Sequence, residues 1–182
     1  IWHKCMSVVA CVQMASGPNV GANLLEAERL IEEAVSQQAQ LVVLPENFAL
    51  MGKTEHDKIA AREQDGQGPM QEFLAEQSAR HGIWLVGGTI PMVARDDNKI
   101  RAASLVFDDQ GRRVARYDNI HLFDVQLLQS DERYTESATI EAGREPVVLD
   151  SPFGRLGVAE CYDLRFPELV RSKLDQGMEV LA

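Results

Sequence analysis

The sequence has few cysteines, few basic residues and no long apolar segment. Its 182 residues include three cysteines, Cys5, Cys11 and Cys161, without a Cys-x-x-Cys pair. So sparse and odd a set does not build a disulfide framework, and we expect a reducing compartment, the cytoplasm. No apolar run approaches the roughly 20 residues that a membrane-spanning helix requires, which argues against an integral membrane protein.

Basic residues are also too few for a nucleic-acid-binding surface. Lysine and arginine number 18 against 28 aspartates and glutamates, a net charge of −10 spread along the chain. Neither nucleic acid nor a membrane is therefore an expected partner. The four histidines lack metal-ligand spacing, and Gly87–Gly88 lacks the lysine of a phosphate-binding loop, so no metal and no cofactor are predicted.

The overall composition, with 45% hydrophobic and 25% charged residues, is typical of a single globular domain. Residues 1–5 are followed by neither the apolar stretch nor the cleavage site of a signal peptide, and Met6 is a natural start. We interpret residues 1–5 as upstream or vector-derived and residues 6–182 as one domain. Because Ala182 lies within a strand pattern, we expect the C-terminal part of this domain to be absent.

Helical and strand patterns alternate along the chain. Residues 23–38 carry apolar side chains at helical spacing, with Leu25 as an exception on the polar face. Further helices are predicted at 70–80 and 167–176. A buried strand is predicted at 7–14, others at 41–44, 83–89 and 180–182, and antiparallel pairs at 101–107 with 113–117 and 146–149 with 155–159. This order predicts a layered α/β fold with a mixed sheet.

Three polar or reactive residues follow predicted strands, where ligands bind in open α/β sheets: Glu46, Asn119 and Cys161. A helix N-terminus after a cysteine lowers the thiol pKa, and a nearby carboxylate can accept the thiol proton. A lone cysteine, however, is more often a small buried hydrophobe, and a lone glutamate is usually solvated. On these residues alone, both interpretations stay open.

Three segments resemble the motifs of one enzyme family, in that family's order. Residues 41–48 (LVVLPENF) resemble its glutamate motif, residues 116–124 (RYDNIHLFD) its lysine motif, and residues 157–169 (GVAECYDLRFPEL) its cysteine motif. The family is the nitrilase superfamily of carbon–nitrogen hydrolases. Within it, the motif sequences are most similar to those of the Nit-type branch, which comprises omega-amidases and deaminated-glutathione amidases. The resemblance implies an α–β–β–α sandwich with mixed sheets that forms a homodimer or larger homo-oligomer.

The resemblance also implies roles for single residues. Cys161 would be the nucleophile, Glu46 the general acid and base, and Glu136 a second glutamate that positions the site. The backbone amide of Tyr162 would stabilise the oxyanion, and Phe48 and Tyr162 would line the substrate pocket. The implied reaction is hydrolysis of the amide bond of a small carboxylated amide through a cysteine thioester, with release of ammonia and without a cofactor.

Two positions depart from the family pattern. Asn119 occupies the place of the catalytic lysine, and losing one oxyanion donor typically costs about 10²–10³ in rate. Glu160 stands where an apolar or small residue is usual. Because neighbouring residues of a strand point to opposite faces, we expect Glu160 to face away from the pocket. If it lies close instead, its charge disfavours the thiolate further. These departures leave an alternative open: a catalytically impaired homologue that acts as a binding protein.

A papain-like pair of Cys161 and His121 is a further alternative. Papain-like enzymes carry the nucleophile near the mature N-terminus and the histidine well downstream, whereas His121 precedes Cys161 here. We therefore expect His121 to have a structural role.

Overall fold

A computed structural model of the protein describes residues 7–127 and 132–182, and residues 1–5, interpreted above as upstream sequence, lie outside this range. The helices are α1 (Val20–Ser36), α2 (Glu55–Ala60), α3 (Pro69–His81) and α4 (Pro167–Asp175), with 3-10 turns at Glu136–Ala138 and Cys161–Arg165. The strands are β1 (Val9–Cys11), β2 (Leu41–Val43), β3 (Trp84–Val86), β4 (Ile90–Val93), β5 (Ile100–Phe107), β6 (Arg113–Asp118), β7 (Asp124–Gln126), β8 (Arg133–Thr135), β9 (Val147–Ser151), β10 (Gly154–Val158) and β11 (Val180–Leu181).

Six strands form the larger sheet. Strands β1, β2 and β3 are parallel neighbours. Strand β5 pairs antiparallel with β3 near its C-terminal end and with β4 near its N-terminal end. Strand β6 pairs antiparallel with β5 in the predicted hairpin. The ends of β2 and β6 carry Glu46 and Asn119, so this sheet positions two of the candidate site residues.

The smaller sheet has the order β11-β10-β9, and β10 leads to Cys161. Strand β10 is antiparallel to β9 and parallel to β11. A separate two-stranded ribbon joins β7 to β8, and Glu136 follows it. The smaller sheet and the ribbon therefore position the other two candidates.

The two sheets and the helices form layers around two apolar cores. Helices α1 and α3 cover one face of the larger sheet, where Ile31 and Leu74 are fully buried. Between the sheets, Val106 of the larger sheet lies in one cluster with Leu156 and Val158 of the smaller. Gly157 faces the opposite way, toward the helix α4 side chain Lys173. This order of layers is the predicted α–β–β–α sandwich.

Most of the predicted helices and strands are present, and the differences occur where the sequence pattern is weak. The predicted helices correspond to α1, α3 and α4, and Leu25 is exposed as expected. The strand predicted as buried at residues 7–14 is wrong in its burial, because β1 is an edge strand and Val9 is 49% exposed. Helix α2, strand β4 and the β7–β8 ribbon were not predicted. No helix within the described segments is both long and apolar enough to cross a membrane.

Candidate active site

Glu46 lies in a tight loop after β2 that packs against the break between β3 and β4. Asn47 adopts a left-handed φ of 56°, and its backbone N–H donates to the hydroxyl of Thr89 over 2.8 Å. Gly88 also has a positive φ, and a Cβ at this position would lie 2.0 Å from the carbonyl oxygen of Pro45. Only glycine fits this approach, so Gly88 fixes the loop that presents Glu46.

Cys161 begins the 3-10 turn that follows β10, and its φ of 37° is unusual for a residue with a side chain. The Asp163 carboxylate accepts the backbone N–H of Glu160 over 3.0 Å, which closes the turn around the cysteine. Strained backbone of this kind concentrates at functional sites and persists when the surroundings hold it in place. Cys161 as a whole residue is exposed to solvent.

The Cys161 thiol and the Glu46 carboxylate face each other, and a hydrogen-bonding interaction between them shifts the pKa of both groups. Burial raises the pKa of the Cys161 thiol, and the negative charge of Glu46 raises it further. Burial and the charge of Glu136 raise the pKa of Glu46, whereas the bond from the thiol lowers it. The site thus places a thiol beside a carboxyl group that can take its proton, as a nucleophile and its general base require.

Glu136 approaches this pair from the turn after β8. Its Oε2 accepts the backbone N–H of Phe123 over 2.7 Å, which ties the turn to the start of β7. Its charge acts on both Glu46 and Cys161. The structure thus brings three of the four predicted catalytic residues together.

Asn119 directly follows β6 and is almost fully buried, with 2% exposure. Its backbone N–H donates to Ala102 over 2.9 Å, and its carbonyl accepts from Gly143 over 2.7 Å. Its side-chain oxygen Oδ1 has no hydrogen-bond partner among the described residues. The backbone is firmly held, but this amide oxygen does not bond to the thiol.

Glu160 lies beneath the site, which contradicts our expectation that it faces away. It is 7% exposed, and its charge acts on both Glu46 and Cys161. Burial, followed by the charge of Glu46, raises the pKa of Glu160 to about 8. The expectation was wrong because β10 ends at Val158, so the alternation of a strand no longer applies at position 160.

Asp163 is fully buried and connects the nucleophile turn to β6 and to the loop after it. It accepts a short hydrogen bond from the Tyr117 hydroxyl and a 3.0 Å bond from the backbone N–H of His121. The Nδ1 atom of His121 lies 2.7 Å from Asp163, and the imidazole stacks on Phe166 with ring centroids 3.7 Å apart. His121 therefore has the structural role that the sequence suggested.

The two predicted pocket residues occupy different environments. Phe48 is fully buried in the core between helices and sheet, with the ring of Phe73 at 6.3 Å, so its ring is not accessible to a ligand in this structure. Tyr162 is half-buried beside the nucleophile and meets the rings of Phe123 and Phe166 edge-on, at 5.1 and 5.3 Å. Tyr162 stays a candidate for substrate contact.

Three buried polar residues that surround the nucleophile turn had no predicted role in the site: Asp163, Tyr117 and Lys173. Asp163 is inside the cysteine motif but was given no role. Lys173 lies one helical turn after the buried Leu169, at a position where the pattern of α4 calls for an apolar side chain. A lysine on the apolar face of a helix was the sequence feature that could have indicated its burial.

Comparisons with known proteins agree with this architecture. The carbon–nitrogen hydrolase family model matches residues 8–182. The deaminated glutathione amidase of Yersinia enterocolitica is 41% identical over 96% of this chain and 60% of its own length. Omega-amidase NIT3 of Saccharomyces cerevisiae is 34% identical over 93% of this chain and 60% of its own length.

Solved structures show the same fold. The crystal structure of S. cerevisiae Nit3, described as a member of branch 10 of the nitrilase superfamily, superposes with a TM-score of 0.81 at 31% identity, covering 95% of this chain and 62% of that one. The C. elegans NitFhit protein superposes with a TM-score of 0.77 at 32% identity, covering 90% and 41%.

The chain spans about 60% of the length of these two curated amidases. Over that length it shares their family model and the α–β–β–α arrangement, and it carries the three motifs in order at the ends of strands. The chain belongs to the carbon–nitrogen hydrolase family, within the nitrilase superfamily.

Proposed function

We propose that the protein hydrolyses the amide bond of a small carboxylated amide through a thioester on Cys161 and releases ammonia. The observation that carries this proposal is the position of the Glu46 carboxylate beside the Cys161 thiol, where each group shifts the pKa of the other. Glu136 stands beside this pair, and the strained turn presents the thiol to solvent. A nucleophile with its own base is the minimum that acyl transfer needs.

In the first half-reaction, Glu46 accepts the thiol proton as the sulfur attacks the amide carbonyl. The tetrahedral oxyanion accepts a hydrogen bond from the backbone N–H of Tyr162. Glu46 then gives its proton to the departing nitrogen, so that ammonia leaves and a thioester remains. In the second half-reaction, Glu46 takes a proton from water, which attacks the thioester and regenerates the thiol and a carboxylic acid.

Glu136 and Asn119 have supporting roles in this proposal. Burial raises the pKa of Glu46 and the charge of Glu136 raises it further, which helps Glu46 to hold a proton and return it to the departing nitrogen. Asn119 occupies the place of the family's lysine and contributes no positive charge. We therefore expect slow turnover rather than none.

The class of substrate is inferred from the relatives. Proteins named deaminated glutathione amidase and omega-amidase cover most of this chain at 34–41% identity. Both names denote amidases, so we propose a primary amide at one end of the substrate and a carboxylate at the other. A simple monoamide of a dicarboxylic acid, such as succinamic acid, has this form.

The test is ammonia release by the full-length protein from succinamic acid and from deaminated glutathione, with butyramide as the uncharged comparison. C161A should abolish release, and C11A is the matched control because Cys11 is an exposed thiol in β1. A thioester trapped on the Cys161 peptide would identify the intermediate by mass spectrometry. Turnover that survives C161A would exclude Cys161 as the nucleophile, and no turnover in either the wild type or N119K would reject the proposal in favour of a binding protein.

Self-association and cytoplasmic location are also parts of this proposal. Leu164 and Leu174 are 60% and 55% exposed, next to the nucleophile turn and in α4, and they support an apolar contact between copies of the protein. Light scattering of the purified full-length protein measures the oligomeric state, and a strict monomer would contradict it.

A further inference from the structure

A lysine is buried under the nucleophile turn, in a place where the mechanism above does not use it. Lys173 of α4 has no exposed surface, and its Nζ donates a short hydrogen bond to the carbonyl of Val158 at the end of β10. The same Nζ lies 4.7 Å from the centre of the Tyr117 ring. An unpaired buried ammonium is costly, so these contacts call for an anionic partner nearby.

Two acidic residues lie close to Lys173. Asp163 and Glu160 both interact electrostatically with Lys173, and both are buried. Burial lowers the pKa of Lys173, and the two acids oppose that change. Asp163 accepts hydrogen bonds from the Tyr117 hydroxyl and from the backbone N–H groups of His121 and Glu160. Tyr117 contacts both Lys173 Nζ and Asp163, which places the lysine near this acid.

Cys161 lies between these two acids in the sequence, so the charges beneath the turn influence its thiol. Burial raises the pKa of its thiol, and the negative charges of Glu46, Glu136 and Glu160 raise it further. Asn119, at the place of the family's lysine, carries no positive charge to offset this rise. The cation under the turn thus limits how much negative charge the thiol experiences.

We infer that Lys173 is a positioning residue for Cys161: through Asp163 and Glu160 it neutralises the acids beneath the nucleophile turn and keeps the thiol ionisable. It does not take the place of the family's catalytic lysine, because its Nζ is committed to Val158 and to the Tyr117 ring. Its stem packs against β10, where a Cβ on Gly157 would lie 3.5 Å from Lys173 Cδ. The inference rests on Cys161 being the nucleophile of the proposed reaction.

The experiment measures the pH dependence of Cys161 alkylation by iodoacetamide in the full-length protein, followed on the Cys161 peptide by mass spectrometry. Lys173→Met keeps the length and packing of the side chain and removes its charge. It should move the midpoint of alkylation up by about half a pH unit, roughly a threefold loss of thiolate at a fixed lower pH. Glu160→Gln should move the midpoint down, and Lys173→Arg, which keeps the charge, should stay near the wild type.

Opposite shifts for the two charge changes distinguish electrostatics from loosened packing, which would lower the melting temperature and leave the midpoint in place. If Lys173→Met does not fold, Lys173→Gln replaces it, because glutamine keeps a donor for Val158. An unchanged midpoint in the charge-removing variant, with a shift in Glu160→Gln, would overturn the inference. Alkylation needs no amide turnover, so a protein that shows both shifts but releases no ammonia would refute the proposed function and leave the role of Lys173 intact.

Discussion

The hydroxyl of Tyr117 donates a hydrogen bond to Asp163 and so joins strand β6 of the larger sheet to the turn that carries the nucleophile. Both side chains are essentially without solvent exposure, at 1% and 0%. Burial, followed by the hydrogen bond to Asp163, raises the pKa of Tyr117 above its ordinary value, so the phenol stays protonated and remains a donor. The bond fixes the position of the turn relative to a strand of the other sheet.

Replacing Tyr117 with phenylalanine should therefore destabilise the fold and the site together. The ring still packs beside Lys173, but Asp163 loses a donor in a dry environment, at a cost of about 1.5–3 kcal/mol. Urea denaturation measures this loss. Y134F is the control, because Tyr134 is 48% exposed and should change stability by less than about 0.5 kcal/mol. Equal stabilities of the two variants would show that the buried bond contributes nothing.

Asn119→Lys should accelerate ammonia release by about 10²–10³ if the lysine reaches the oxyanion, since one such donor is typically worth that factor. The added charge should also lower the pKa of Cys161. Steady-state kinetics and alkylation midpoints measure the two effects. N119Q lengthens the side chain without a charge and serves as the control. Equal rates for the two variants would mean that charge at position 119 has no influence.

Glu160 should make the protein less stable as the pH rises. The pKa of its carboxyl is about 8 in the folded protein against the ordinary value of 4.5, so folding favours the protonated form. This contribution is complete below about pH 4.5 and is lost as the pH rises through about 8, with a slope of at most about 1.4 kcal/mol per pH unit.

Urea titrations between pH 5 and pH 9 test this point. E160Q, which cannot ionise, should be less sensitive to pH than the wild type over this range. E168Q is the control, because Glu168 is exposed in the first turn of α4 and its removal should preserve the wild-type profile. Parallel profiles for E160Q and the wild type would contradict the assignment of a raised pKa to Glu160.

Gly88→Ala should impair the site through the loop of Glu46. The new methyl group would lie 2.0 Å from the Pro45 carbonyl, and the backbone already has a φ of 50°. We expect a loss of stability of more than about 1 kcal/mol and a fall in kcat, because the loop must shift. G17A is the matched control, since no atom lies within 4 Å of the Cβ it would add. Calorimetry and ammonia release report the two effects, and wild-type behaviour of G88A would refute the role given to this glycine.

The sequence predicted the parts of the site that depend on local pattern. Predicted strands end shortly before Glu46, Asn119 and Cys161, and the alternation of elements predicts a layered α/β fold. The α–β–β–α order was implied only by the resemblance of the three motifs to the family. The burial of β1 was wrong because its pattern does not reveal that it lies at the edge of a sheet. Helix α2 has only 6 residues and is mostly polar, so the sequence shows no apolar periodicity there. Asp57 and Thr54 stabilise its start.

The environment beneath the nucleophile could not be predicted in the same way. Whether Glu160 faces the pocket depends on where β10 stops, and whether Lys173 is buried depends on how α4 packs against that strand. Both are tertiary relationships between a polar side chain and partners distant in sequence. Rules based on local sequence place charged residues at the surface, so they do not predict the burial of Glu160 and Lys173.

The site is divided between the two sheets: Glu46 and Asn119 follow strands of the larger one, and Cys161 follows a strand of the smaller one. Neither sheet alone can therefore bring the thiol to its base. A partly unfolded form in which the sheets have separated would keep its strands and helices but lose the environment of Cys161. The alkylation rate of that thiol is thus a reporter of sheet docking, and it should change before far-ultraviolet circular dichroism does as denaturant is added.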